Sequence, residues 1–320
     1  MNNTIYQITL PTPYAVGDVH CYILKEDPIT MFDAGVDTEE AWEAMVKQLN
    51  EMGLKPNDIQ QIVLTHHHPD HTGLIHRFEN VNAVYGHAIT NLWLKQDEAY
   101  FAHYEAYFSS LYDKFAVPEQ YRNVQKTIHN AFRFQGKREL TNIIDEGQEI
   151  PGLENWRIIE TKGHAQSHLS FLNEMDHTMV AGDHLLKHIS SNPILEAPLP
   201  GNERPKPLLH YRRTLKNLQS FNIETVLPGH GDIFEFQPKL IDHRLQRQEE
   251  RAQKVLDYVR DHEVTPFEVC QFLFPKHYDK QFGLTMSETI GQLDYLEEAG
   301  YVDSIIRNGV LTYKLAPLYT

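Results

Sequence analysis

The chain has 320 residues, 41% hydrophobic and 23% charged, with 44 acidic against 29 basic side chains and a formal net charge of −15. That length holds one large domain or a domain with a smaller companion, and the apolar content excludes a disordered chain. The negative balance disfavours a nucleic-acid partner, no apolar run approaches the roughly 20 residues of a membrane span, and two cysteines, Cys21 and Cys270, cannot make a disulfide framework. Met1-Asn2-Asn3-Thr4 has neither the basic nor the apolar region of a signal peptide. A cytoplasmic protein acting on a small molecule, with no membrane partner, is expected.

In chain order, Ile5 to Leu10 alternates apolar and polar residues and predicts a strand. Cys21–Leu24 and Ile29–Phe32 predict two more, the last running into Asp33-Ala34-Gly35. Trp42, Met45, Leu49 and Met52 share one face of a helix over 39–52, stopped by Gly53. Gln61-Ile62-Val63-Leu64 predicts a short buried strand. It leads into Thr65-His66-His67-His68-Pro69-Asp70-His71-Thr72-Gly73, after which Thr72 is expected to cap a short helix carrying Leu74, Ile75 and Phe78.

That stretch sets three imidazoles and a carboxylate, His66-x-His68-x-Asp70-His71, on a loop at a strand end. A rigid scaffold can there aim several side chains at one point. Neutral imidazole and carboxylate suit zinc and its first-row neighbours. The pattern then repeats. Strands predicted at 156–161, 178–181 and 225–227 run into Gly163-His164-Ala165-Gln166-Ser167-His168, Gly182-Asp183-His184 and Pro228-Gly229-His230-Gly231. Four strand ends carrying Gly-flanked His or Asp are what one shared site at one edge of a sheet sandwich would present.

Two segments stand apart. Residues 94–138 read as a helical insertion, with Phe101, Tyr104, Phe108, Leu111 and Phe115 at helical spacing and a second stripe after Pro118. Such a stripe either packs on the body or forms a lid over an apolar substrate. After a helix over 208–221 and a long one over 239–262, the order becomes helix (267–274), helix (Met286, Ile290, Leu293, Leu296), then a hairpin turning at Asn308-Gly309. This is a winged-helix pattern. Its would-be reading helix carries Glu288, Asp294, Glu297 and Glu298 and no Lys or Arg. DNA reading needs basic residues there, so the module reads as a packing or homodimerisation surface.

His66-x-His68-x-Asp70-His71, Gly163-His164, Gly182-Asp183 and Gly229-His230, in this order, resemble the metallo-β-lactamase superfamily of hydrolases. The resemblance covers residues 1 to about 240, and the C-terminal part is similar to members with winged-helix tails. It implies an α/β fold of αββα type, two sheets face to face with helices outside, over 1–240, followed by a connecting helix and a small winged-helix-like domain over 241–320. It further implies that His66, His68 and His164 hold one metal, that Asp70, His71 and His230 hold a second, and that Asp183 bridges them. Two divalent transition metals are then expected, zinc first, with manganese or iron as alternatives.

Asp70 could also accept a proton from the attacking water. Asp33 and His168 are candidates to fix ligand imidazoles. Tyr211 could donate to a substrate oxyanion as a tyrosine does in some relatives, although it lies on the apolar stripe of its helix. Ser167 stands where relatives more often have glycine. The expected activity is cleavage of a small or acyl-chain ester, thioester or lactone. The alternatives are an endoribonuclease and a non-catalytic metal-binding module.

Overall fold

The structure, a computed structural model, describes residues 5–317; the reading of Met1–Thr4 lies outside the described residues. In chain order the regular elements are β1 (Ile5–Leu10), β2 (Val19–Leu24), β3 (Thr30–Phe32), α1 (Glu39–Glu51), β4 (Gln61–Val63), α2 (Pro69–Thr72), β5 (Ala83–Gly86), α3 (Ala88–Lys95), α4 (Glu98–Lys114), α5 (Val124–Phe132) and β6 (Asn142–Ile143). Then come β7 (Trp156–Glu160), β8 (Leu169–Asn173), β9 (Thr178–Gly182), α6 (Pro207–Leu218), β10 (Thr225–Pro228), β11 (Phe234–Glu235), α7 (Pro238–Arg260), α8 (Pro266–Leu273), α9 (Phe282–Glu298), β12 (Val302–Arg307) and β13 (Val310–Leu315).

The period-two alternation of the strands builds the layers. One sheet runs β1-β2-β3-β4-β5-β6 and the other β11-β10-β9-β8-β7. Tyr22, Phe32, Val63 and Tyr85 of the first meet Ile158, Phe171, Val180 and Leu227 of the second in the core between the sheets. The alternate residues Ile23, Met31, Ile62 and Val84 face outward and are covered by Ala41, Met45 and Leu49 of α1. On the far side Ile159, Leu172, Met179 and Val226 are covered by Tyr211, Leu215 and Leu218 of α6 and by Ile241 and Leu245 of α7. Strands buried on both faces with helices outside make the αββα sandwich, as expected.

A second core lies beside it. The stripe of α4 (Phe101, Tyr104, Phe108, Leu111) and Phe115 packs with Val255 and Val259 of α7, Phe267 and Cys270 of α8, and Met286, Ile290 and Leu293 of α9. None of the five stripe residues is more than 8% exposed. The stripe is therefore core, shared between the insertion and the C-terminal helices, and not the open wall of a lid. The boundary drawn at 94 falls inside α3 and the one at 240 inside α7. The first half of α7 covers the sandwich and the second half enters the helical core.

The two C-terminal helices and the hairpin form as predicted, with Asn308 and Gly309 both at positive φ in the turn. The acids of α9 are occupied within the chain: Glu288 pairs with Arg251, Asp294 with Arg204 and Glu298 with Lys206. Thr72 differs from expectation. The helical turn begins earlier, with Pro69 at its first position, and the Thr72 hydroxyl donates to the His68 carbonyl (3.0 Å) without capping the turn over Gly73–Arg77.

Candidate metal centre

The ends of β3, β4, β7, β9 and β10 meet at one edge of the sandwich, and each delivers a polar group directly or by the loop beyond it. Beyond β4, Pro69 pre-sets the α2 turn, which presents Asp70 and His71 beside His66 and His68. Two of these ends leave no room for a side chain. A Cβ on Gly182 would lie 2.8 Å from His168 Nε2, and one on Gly229 would lie 2.2 Å from Asp183 Oδ1.

The donors converge as two triads sharing a carboxylate. His66 Nε2 and His164 Nε2 each lie 2.9 Å from His68 Nδ1. His230 Nε2 lies 3.3 Å from Asp70 Oδ2, and Asp70, His71 and His230 form one close group. Asp183 touches both sets, with Oδ1 3.4 Å from His71 Nε2 and Oδ2 3.5 Å from His164 Nε2 and 3.4 Å from His230 Nε2. His66, His71, Asp183 and His230 are buried, and none of the seven residues is exposed.

Acceptor groups behind the rings assign where the protons sit. His71 Nδ1 donates to Asp33 Oδ2 (2.8 Å), His164 Nδ1 to the Asn192 carbonyl (3.1 Å) and His230 Nδ1 to the Asp18 carbonyl (2.7 Å). Thr65 Oγ1 spends its proton on Asp33 Oδ2, so it accepts from His66 Nδ1 (2.9 Å). With Nδ1 protonated, a neutral imidazole turns the lone pair of Nε2 inward. His71 Nε2, His230 Nε2 and Asp183 Oδ1 are buried with no hydrogen-bond partner. Their contacts, at 3.3–3.4 Å, are too long for charge-assisted hydrogen bonds of about 2.8 Å. They match two ligands at about 2.1 Å on one tetrahedral ion, which stand about 3.4 Å apart. The residues present fit a pair of cations.

Electrostatics separates the triads. Burial and mutual repulsion hold His66 and His68 well below the usual imidazole range, and burial lowers His164; all three are neutral. Burial also opposes charge on His71 and His230, but Asp183 facing both outweighs it, lifting His71 well above its ordinary value and His230 to about 10. Burial would raise Asp183, yet the His230 and His71 imidazolium charges keep it well below the carboxylate range. A cation at the second position therefore displaces protons, whereas the first triad is ready to bind.

The proposed supporting residues divide. Asp33, at φ 58, accepts from Thr65 N (2.7 Å), Thr65 Oγ1 and His71 Nδ1, and so ties the metal loop to a ligand. His168 stacks on His66 and accepts the Asp183 backbone N–H at Nε2 (3.1 Å). Tyr211 does not reach the site. It is 1% exposed on the outer face of the second sheet, and its hydroxyl donates to the His184 carbonyl (3.1 Å), because its stripe faces the core. Ser167 has a local reason to be present: its Oγ accepts from His67 N and pairs with His67 Nδ1 (2.8 Å). His67 in turn stacks on Trp93. Sequence reasoning missed Glu196, a buried carboxyl beside His67 and His68, which burial pushes up to about 8. No strand end or glycine marks it.

Two carboxylates and five histidines at the edge of an αββα sandwich form a candidate metal centre of the kind a metal-dependent hydrolase needs. A family model for the metallo-beta-lactamase superfamily matches residues 14–230, and the chain belongs to that superfamily. A "Probable metallo-hydrolase YqjP" from Bacillus subtilis (strain 168) is 40% identical over 310 residues, 97% of either chain. The metallo-beta-lactamase family protein TTHA1429 from Thermus thermophilus superposes with a TM-score of 0.80 at 26% identity, over 97% of this chain and 98% of the other. An atrochrysone carboxyl ACP thioesterase from Aspergillus fumigatus is 26% identical over 100 residues, 31% of this chain and 28% of its own. The chain is a metallo-hydrolase. Among its described residues no helix is long and apolar enough to cross a membrane.

Proposed function

We propose that the chain hydrolyses a small or acyl-chain ester, thioester or lactone at a two-metal site, with zinc as the first candidate. The observation that carries this is the inward convergence of the two triads on a shared Asp183, with His71 Nε2, His230 Nε2 and Asp183 Oδ1 buried and without a hydrogen-bond partner. His66, His68 and His164 would hold one ion, Asp70, His71 and His230 the other, with Asp183 between them. Bound there, the ions would supply Lewis acidity and bring a water near neutral pKa.

The chain's own residues do the rest. Asp33, Thr65, Asn192 and Asp18 fix four imidazoles so that no rotamer search precedes binding. Asp70, on the α2 turn, is the candidate proton acceptor. Support for an acyl substrate comes from the net charge of −15, which repels phosphate backbones, and from the thioesterase among the relatives.

Metal analysis of purified protein should find about two transition-metal equivalents per chain. A panel of acyl thioesters, lactones, activated esters and a structured RNA then sorts the chemistry. Turnover of an acyl substrate that is abolished by chelation and by His66→Ala is expected. RNA cleavage with steep salt dependence and no ester hydrolysis would replace the reading by a nuclease. Metal bound with no turnover of any substrate would make it a binding module.

A further inference from the structure

Resting on the metal-site reading above, we propose that Glu196 is the positioning residue of His68, and that the segment 191–197 forms the outer support of the first metal position. The argument is one of completion. Four of the five ligand imidazoles have an acceptor behind the ring: Thr65 Oγ1 for His66, Asp33 for His71, Asn192 O for His164 and Asp18 O for His230. His68 is the exception. It alone turns Nδ1 inward, toward His66 and His164, so its Nε2 must carry the proton when Nδ1 binds a cation. Among the described residues its ring makes no other hydrogen bond.

An outward imidazole N–H beside a metal is nearly always taken by a carboxylate, carbonyl or water. Glu196 supplies the carboxyl oxygens at hand, which accept whether or not the group is ionised. One of its oxygens lies within 4.8 Å of one ring nitrogen of each of His67 and His68, a span that one bridging water covers. Glu196 is 2% exposed and, among the described residues, receives only the Gln166 backbone N–H, at 3.2 and 3.3 Å to its two oxygens. It keeps acceptor capacity for a second donor.

The same segment serves His164. Asn192 O accepts its Nδ1–H, and Ile194 N donates to the His164 carbonyl (3.3 Å). The segment is itself braced from outside the sandwich. Leu195 N donates to Ser287 Oγ (2.9 Å) and Asn192 Nδ2 to the Leu284 carbonyl (3.3 Å), both on α9. On this proposal two of the three imidazoles of the first triad lean on one segment, His164 on its backbone and His68 on the Glu196 side chain, and that segment leans on the C-terminal helices.

The test compares wild type, Glu196→Gln and Glu196→Ala by zinc titration against a chromophoric chelator, with the imidazole N–H resonances of the zinc-loaded protein tracked by NMR. Expected is a wild type that binds two equivalents and shows a slowly exchanging His68 Nε2–H. Glu196→Ala should weaken one of the two sites roughly 10–100-fold and expose that proton to exchange. Glu196→Gln, whose amide oxygen still accepts, should retain most of the affinity.

Unchanged zinc affinity in Glu196→Ala overturns the proposal. So does an equal loss at both sites in both variants, the mark of a packing role. A third zinc equivalent in wild type that Glu196→Ala removes would make His67, His68 and Glu196 a metal site of their own and also overturn it. If the alanine variant does not fold, the wild-type spectrum still decides, since a freely exchanging His68 Nε2–H refutes the positioning role. A wild type that binds no zinc refutes instead the metal-site reading beneath it.

Discussion

Asp33→Ala should damage both the fold and the second metal position, by an amount the contacts set. The carboxylate accepts Thr65 N at 2.7 Å, Thr65 Oγ1 at 2.8 Å and His71 Nδ1 at 2.8 Å, all buried. Its removal leaves the Thr65 N–H and the His71 Nδ1–H without acceptors. At about 1–3 kcal/mol per buried unpaired donor, that is roughly 2–6 kcal/mol. Asp33 also holds φ at 58, a region asparagine and aspartate tolerate better than alanine, which adds about 1 kcal/mol. Against a total stability of about 5–15 kcal/mol, the loss is large. Asp33→Asn keeps the backbone tolerance and one acceptor oxygen, so it should cost less in stability while still releasing the His71 ring. Urea unfolding of the metal-stripped protein measures the first effect, and zinc titration the second, expected as a roughly 10–100-fold weakening of one site. A destabilisation below about 1 kcal/mol in Asp33→Ala, or wild-type affinity at both sites in both variants, would refute the reasoning.

Phe108→Ala should cost about 3–5 kcal/mol, because the side chain is buried in the helical core, while metal content and acyl-chain preference stay unchanged; a KM rise confined to long chains would restore the lid. His184 falls from an ordinary 6.5 to about 3 through burial and the nearby His164, so the folded protein keeps it neutral where the unfolded chain protonates it. The His184 contribution to the stability of the metal-stripped protein is then fully present above pH 6.5 and is lost as pH drops from 6.5 toward 3. His184→Leu should flatten that slope by one proton, about 1.4 kcal/mol per pH unit, and parallel wild-type and variant curves would exclude the effect.

The sandwich and the seven-residue cluster were legible because each rests on a local signal, whereas the division into two triads came from the family resemblance. The alternation in Cys21-Tyr22-Ile23-Leu24 and Ile158-Ile159 is what splits those strands between the inter-sheet core and the helix-facing cores. The ligands announce themselves through type and spacing, and through glycines such as Gly182 and Gly229, where a Cβ would strike the site. Asp33 was found because it too ends a strand. Glu196, Asn192 and Asp18 were not. Asn192 and Asp18 act through backbone carbonyls, which any residue could supply, and Glu196 sits on an irregular segment where an acid normally reads as solvated surface. Tyr211 misled for the converse reason: its helical stripe stated correctly that it was core, and the analogy pulled it toward the site.

The aromatic stripe shows why the two extra segments belong together. An α4 face carrying Phe101, Tyr104, Phe108 and Leu111 cannot stay in water, since each side chain gains roughly 1.5–3 kcal/mol on burial. The sandwich offers it no cover, because α1, α6 and α7 already occupy the outer faces of the sheets. The C-terminal helices supply that cover, and α9 has the complementary need, being buried along most of its length. Their shared core reaches the metal edge at two points. Trp93, packed with Phe101 and Tyr104, stacks on His67 at 4.5 Å, and Ser287 pins Leu195 next to Glu196. Packing is transmitted with little slack in an interior of this density. The helical core therefore does more than cover its own apolar surface: it sets the back wall of the first triad from the His67 side and the Glu196 side at once.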